Sequence, residues 1–245
     1  MSKPITIYWS GRQEDTSINE INENMIYYPP ENLFKSLLLN KNKELDDNGT
    51  NFFLCPAFKD KTKNTFVFKN TLTSSIDLID GKLFPNENTT IPFSSVREST
   101  LNNTFHLLYS MSWLFFCEQS INVSFTSPYF SCADYLPYMQ TCPGSFDIGR
   151  WFRPYQTEFV VWNKNQKITI NENDPLMYAE FHTNKKIIFK RFQYTSDLHS
   201  YWAACNSAPL RFGKKQPLSK RYERFEKASM DKAILKIIKN NLLED

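Results

Sequence analysis

Glu180 and His182 stand two positions apart in the run 176–182, so on a strand both project from one face. Glu158 lies in a second strand-like run, 157–162, and shares that face if the two runs pair. A carboxylate–imidazole–carboxylate set of this kind can hold a divalent metal for hydrolytic chemistry. The plainer account of the same alternation is a solvated face. Met177, Ala179 and Phe181 form the apolar set, leaving Tyr178, Glu180 and His182 to water. Elsewhere the chain is poor in reactive patterns. His106, His182 and His199 are its only histidines, with no H-E-x-x-H, H-x-D or H-x-E among them. Cys132, Asp134, Cys142 and Asp147 share one segment, but a thiol nucleophile needs a base, and no histidine stands near them in sequence.

Binding chemistry is better represented. Arg150-Trp151-Phe152-Arg153-Pro154 sets two cations among aromatics, the residue types that dominate recognition hot spots. The simpler account is a strand whose Trp is core and whose arginines pair locally. Arg211, Lys214, Lys215, Lys220, Arg221 and Arg224 form the one marked charge asymmetry. Nucleic acid and an acidic protein both fit this 211–224 cluster, as does a solvated linker leading into a helix. Cations at a helix start oppose its dipole slightly. No cofactor is expected, because phosphate-cradling loops need clustered glycines and the chain has only six. Gly144 and Gly149 have P-loop spacing, yet Arg150-Trp151 stand where Lys-Ser/Thr is required.

The elements that must position these residues read mostly as strands. Alternation predicts strands over 3–10, 52–55, 65–69, 75–79 and 82–84, with an Asp80-Gly81 turn between the last two. Residues 11–24 read as turn, 31–40 as a helix and 129–149 as irregular. The stretch 104–117 fits a buried strand pair or a buried helix, and the alternation of Phe105, Leu107 and Tyr109 favours strand. After a short strand at 122–126, four more at 157–162, 167–170, 176–183 and 186–193 are joined by turn-like separators and suggest an antiparallel meander. A short helix over 198–205 follows. Ser219 then caps one long helix to about Leu243, striped by Tyr222, Phe225, Ala233, Ile234, Ile237, Ile238 and Leu242.

The expected fold is therefore mainly β: an antiparallel β-sandwich or jelly-roll-like body (1–206), a basic linker (207–218) and a C-terminal amphipathic α-helix (219–245) packed on the body. Five cysteines without C-x-x-C, and an N-terminus without an apolar signal core, suggest free thiols in a reducing compartment. The longest apolar run is too short to span a bilayer, so no membrane partner is expected. A net charge of +3 gives no global reason for a polyanion partner.

Two stretches are distinctive together: Phe52-Phe-Leu-Cys-Pro-Ala-Phe-Lys-Asp60 with Lys63-Asn-Thr-Phe-Val-Phe-Lys69, and Ile148-Gly-Arg-Trp-Phe-Arg-Pro154 through Asp174-Pro-Leu-Met-Tyr178 to Lys190-Arg-Phe192. The combination resembles uncharacterised proteins of tailed, chiefly marine, phages. It implies a viral origin, which the abundance of Asn, Lys, Ile and Phe permits, and it implies no activity. Those proteins more often carry Gly where this chain has Asn173, so that turn needs a residue tolerating a left-handed backbone. The expectation is a non-enzymatic phage protein that binds a protein partner, as an accessory virion component or host-interacting factor, in the host cytoplasm or the virion. The alternative is a small metal-dependent or hydrolytic enzyme using Glu158, Glu180 and His182. Tyr109, Trp113, Phe115 and Phe116 would give a homo-oligomer its contact surface if they are not buried.

Overall fold

Aromatic side chains dominate the interior, and their burial explains how the strands are arranged. The computed structural model describes residues 3–13, 27–39, 52–85, 93–98, 104–206 and 217–243. In chain order the elements are β1 (Ile5–Gln13), β2 (Glu31–Asn32), α1 (Leu33–Leu39), a 3-10 turn (Phe52–Leu54), α2 (Pro56–Lys63), β3 (Thr65–Lys69), β4 (Ser74–Ile79), β5 (Lys82–Pro85) and β6 (Phe93–Glu98). Then come β7 (Phe105–Cys117), β8 (Asn122–Thr126), β9 (Met139–Thr141), β10 (Gly144–Asp147), β11 (Pro154–Val161), β12 (Gln166–Ile170), β13 (Pro175–Phe181) and β14 (Ile187–Arg191). Three helices close the chain: α3 (Ser196–Asn206), α4 (Leu218–Lys227) and α5 (Met230–Asn240).

The protein is mainly β, with several antiparallel sheets and a helical C-terminal region. The first sheet runs β14-β1-β7-β11-β9 with β6 also on β7; the second runs β10-β8-β13-β3-β2; the third runs β12-β4-β5. The pairing of β1 with β14 is parallel. Strand β7 reads as a strand because it is one, 13 residues long. One of its faces sends Trp113 and Phe115 into the second sheet. Phe115 meets Phe68, Phe125 and Phe181 with ring centroids 5.3–6.0 Å apart, and Trp113 meets Phe68 at 5.6 Å. The other face turns Phe116 towards Phe152 at 5.7 Å and Phe225 of α4 at 6.5 Å. Tyr109, Trp113, Phe115 and Phe116 are thus all buried within this one chain and offer no surface to a second copy.

Several local expectations give way to packing. The expected strand over 52–55 is instead a 3-10 turn (Phe52–Leu54) followed by Cys55 as N-cap, and Pro56 starts α2, where its missing N–H costs nothing. The segment 129–149, expected to be irregular, carries β9 and β10. The first strand continues to Gln13 rather than turning at 11, and residues 14–26 lie outside those described. The four strands after 154 do not form a meander. Each takes an earlier strand as partner: β11 takes β7, β12 takes β4, β13 takes β3 and β8, and β14 takes β1. In the turn before β13, Asn173 takes φ 68°, the left-handed conformation inferred from its position.

The single C-terminal helix is also two. Ser229 adopts a left-handed backbone (φ 49°, ψ 34°) between α4 and α5, a cost of roughly 1–2 kcal/mol for a residue with a Cβ. The break lets both segments dock. Phe225 is buried from α4, Ile234 and Ile238 from α5. The chain then returns to the first sheet, where Gln193 N–H donates to Asn241 O (2.8 Å) and Leu243 N–H to Arg191 O (3.0 Å). Of the expected linker, 207–216 lies outside the described residues.

Removing this cover should be costly. Phe225→Ala is expected to lose about 3–5 kcal/mol, which lowers Tm by roughly 10 °C in a chain of this size. A chain ending before Leu218 should aggregate, because Phe116 and Phe152 lose their lid. Thermal unfolding followed by circular dichroism checks both, and an unchanged Tm would mean that the helices are not structural.

Candidate functional site

The three residues proposed from sequence as a metal set do not meet. Glu158 belongs to β11 of the first sheet, while Glu180 is the penultimate residue of β13 of the second. Glu180 forms an ion pair with Lys61 of α2. His182 Nε2 lies 2.7 Å from the Ser124 hydroxyl of β8. Both line a surface groove with Asp60, Lys61, Lys63 and Asn64. The expected solvated face is only partly so, since Tyr178 is 2% exposed. Tyr129 covers it edge-on at 5.0 Å, and Leu33 of α1 packs beside it.

Glu158 instead enters a different cluster, built across three adjacent strands. β11 pairs with β7 on one side and β9 on the other. Just past the end of β9, Cys142 N–H donates to Glu158 O (2.7 Å), so Cys142 sits opposite Glu158. On the β7 side the register shifts. Gln156 pairs with Ser112 but Glu158 with Leu108, two steps on β11 against four on β7. Glu158 is thereby moved from position 110 to Leu108, diagonal to His106, which pairs with Val160. His106 Nδ1 then lies 2.7 Å from Glu158 Oε1 and 3.9 Å from Cys142 Sγ. All three side chains are half-buried.

The cluster does not have the geometry of a thiol nucleophile with its base. In such a relay the imidazole takes the nucleophile on one nitrogen and its orienting carboxylate on the other. Here thiol and carboxylate converge on the same Nδ1. Burial also pushes the Cys142 thiol up to about 11, and the charge of Glu158 adds to that effect. The thiol therefore stays protonated at neutral pH, the opposite of an activated cysteine.

A groove of about 220 Å³ begins at Cys142 and Glu158 and runs past Gly144 and Tyr155 to Trp151 and Arg153. Tyr155 forms its floor, stacked on Phe125 at 3.6 Å and donating to Cys142 O (3.0 Å). The far end is set by Asp147, a buried carboxylate that accepts from Ser120 Oγ, Ile121 N (3.1 Å) and Gly149 N (2.9 Å). Its own N–H donates to Tyr222 Oη of α4 (2.8 Å), so helix and turn are fixed together. Gly149 passes so close to Gln119 that a Cβ would stand 2.3 Å from that carbonyl oxygen, and only glycine fits.

That turn delivers the Arg-Trp segment. Arg150 pairs with Glu226 (2.6 Å) and lies over Tyr222. Trp151 is buried, with the Arg153 and Arg221 guanidinium carbons 5.0 and 5.2 Å from its ring centroid. The pKa of Arg153 is lowered, first by burial and then by the neighbouring charge of Arg221, with Glu158 opposing. Among the described residues Arg153 and Arg221 have no ion-pair partner within 4 Å. Trp151 Nε1 and Gln156 Nε2, both from groove-lining residues, find no acceptor among the described residues. Lys220 pairs with Glu223 on the surface (3.2 Å), and Arg211, Lys214 and Lys215 lie outside the described residues.

No family model matches the sequence, and no curated protein or solved structure matches it. The sequence reading set Cys142 aside for want of a nearby histidine and did not join it to His106 and Glu158, because these partners come from segments far away along the chain. The one available signal was an imidazole interrupting the apolar run of β7. At pH 7 we expect alkylating reagents to modify the exposed Cys55 and Cys132 first and Cys142 slowly. The Cys142 rate should then climb with pH towards about 11. Mass spectrometry of time-resolved labelling reads this directly, and a Cys142 that reacts first at pH 7 would restore the nucleophile.

Proposed function

We propose that this chain is a phage-encoded protein that works by binding a protein partner, as an accessory virion component or host-interacting factor, and that the groove at Arg153 receives an acidic side chain of that partner. The observation that carries this reading is an excess of unpaired donors. Among the described residues Arg153 lacks an ion-pair partner and the Trp151 and Gln156 N–H groups lack acceptors. A buried donor left unsatisfied costs about 1–3 kcal/mol, so a ligand that brings acceptors is favoured, and a carboxylate best of all. Size favours a side chain over a free metabolite. The groove encloses about 220 Å³, below the roughly 300–1,000 Å³ of small-molecule pockets. The resemblance of residues 52–69 and 148–192 to phage proteins supports the viral source, and Trp and Arg are the residues that most often anchor protein interfaces.

The test follows the indole N–H of Trp151 by nuclear magnetic resonance while an Asp/Glu-rich peptide is added to the full chain. The signal should shift saturably and respond less at higher salt. Arg153→Gln should weaken binding by at least about tenfold, a loss of roughly 1.4 kcal/mol. An indole signal unmoved by millimolar peptide removes the reading. A stronger response to single-stranded DNA than to the peptide would replace the protein partner with nucleic acid.

A further inference from the structure

The opposite end of the groove carries a separate chemistry. An imidazole nitrogen, a thiol sulfur and a carboxylate oxygen from His106, Cys142 and Glu158 lie within 4.8 Å of one another. We propose that these three residues form a zinc site whose fourth coordination position opens into the groove. The inference does not depend on what the Arg153 end binds.

Three observations support it. The first is convergence, since thiol and carboxylate face one nitrogen, Nδ1. A central cation fits that arrangement and a proton relay does not. The second is spacing. With Zn–S near 2.3 Å and Zn–N near 2.0–2.1 Å, tetrahedral sulfur and nitrogen ligands stand about 3.5 Å apart. Cys142 Sγ and His106 Nδ1 are 3.9 Å apart, so closing on the ion takes a few tenths of an ångström. Glu158 Oε1, now 2.7 Å from Nδ1, must draw back by about 0.7 Å to the roughly 3.4 Å of tetrahedral oxygen and nitrogen ligands. Its half-exposed side chain can do so by rotation. The third is donor type. Calcium and magnesium take mostly oxygen ligands and six or more positions, whereas one thiolate, one imidazole and one carboxylate suit zinc. On binding, Cys142 Sγ releases its proton to solvent and bonds the ion as thiolate, and Nδ1 binds as the neutral imidazole's lone pair.

Strand positions make the set rigid enough to be a site. β11 holds Glu158 between β7 and the end of β9, and the register shift on β7 brings His106 within reach. Three protein ligands with one open position is the arrangement of zinc sites that act on a bound group. Cys142 and Glu158 both line the groove, so the open position gives onto it.

Cobalt(II) is the probe, because a bound thiolate gives it a near-ultraviolet charge-transfer band. The full chain, stripped with chelator, should develop that band at one equivalent of cobalt and lose it on addition of zinc. Cys142→Ser should abolish the band. His106→Gln and Glu158→Gln should each lower zinc affinity by more than the roughly 10–100-fold lost when only an outer-sphere partner is removed. The Cys55→Ser/Cys132→Ser double variant should keep the band, since those exposed thiols lie elsewhere. Unfolding curves in chelator identify any variant that fails to fold, and the remaining two ligand variants then carry the test. Absence of the band in the wild-type chain, its survival in Cys142→Ser, or its loss in the double variant would each overturn the proposal.

Discussion

Strand β7 must be buried on both faces over its second half, and the architecture follows from that requirement. Trp113 and Phe115 need an apolar layer on one side, Leu114 and Phe116 on the other. The second sheet supplies the first layer through Phe68, Phe125 and Phe181. No strand of that sheet can also reach the opposite side, so the chain's last helices provide the second layer, with Phe225 at its centre. The left-handed break at Ser229 belongs to the same requirement. On either side of it, Phe225 of α4 reaches Phe116 and Leu242, just past α5, bridges to Phe192 just past β14.

The groove lies where this cover ends. Towards its N-terminal end β7 leaves the helices, and the face that buries Leu114 and Phe116 carries His106 into a half-exposed position. The Asp147 turn marks the other limit. One buried carboxylate collects three donors there while the backbone beside it accepts no side chain at Gly149. Charge-assisted hydrogen bonds of this kind are among the stronger ones in a fold. With the Arg150–Glu226 pair, they hold the Arg-Trp segment in place without using Arg153 or the Trp151 N–H. Arg153 and the buried Trp151 N–H accordingly find no ion-pair or hydrogen-bond partner among the described residues.

How much of this was legible in the sequence depended on the range of the interaction. Alternation identified β1, β3, β4, β7, β8 and most of β11–β14, since a strand's period is a property of its own residues. It also placed Met177, Ala179 and Phe181 on the core face, and their burial matches. Partner choice was not legible. Nothing in residues 157–193 marks that β11, β12, β13 and β14 each pair with a strand encountered earlier. The site was hidden for the same reason. His106 is 36 residues from Cys142 and 52 from Glu158, and a register shift on β7 brings them together. Such a shift is a tertiary outcome, set by which aromatic rings can be buried at once. Glu180 and His182 looked like chemistry because they are near in sequence, yet each found an ordinary partner in Lys61 and Ser124.

Glu158 decides the electrical character of the groove. Among the described residues it is the one carboxylate along the groove lining, and it has several neighbours to serve. Its oxygen is engaged by His106 at 2.7 Å. Its charge disfavours the Cys142 thiolate and the phenolate of Tyr155. At longer range it favours the Arg153 cation, against burial and the charge of Arg221. One negative charge held at the His106 end cannot balance two guanidiniums at the Trp151 end, because at effective dielectric constants near 20 the attraction falls to a fraction of its contact value within several ångströms. The groove is therefore polarised along its length, with soft and anionic donors gathered at Cys142 and uncompensated cations at Trp151. The proposed carboxylate guest at the second end and the proposed zinc ion at the first each match the charge found there.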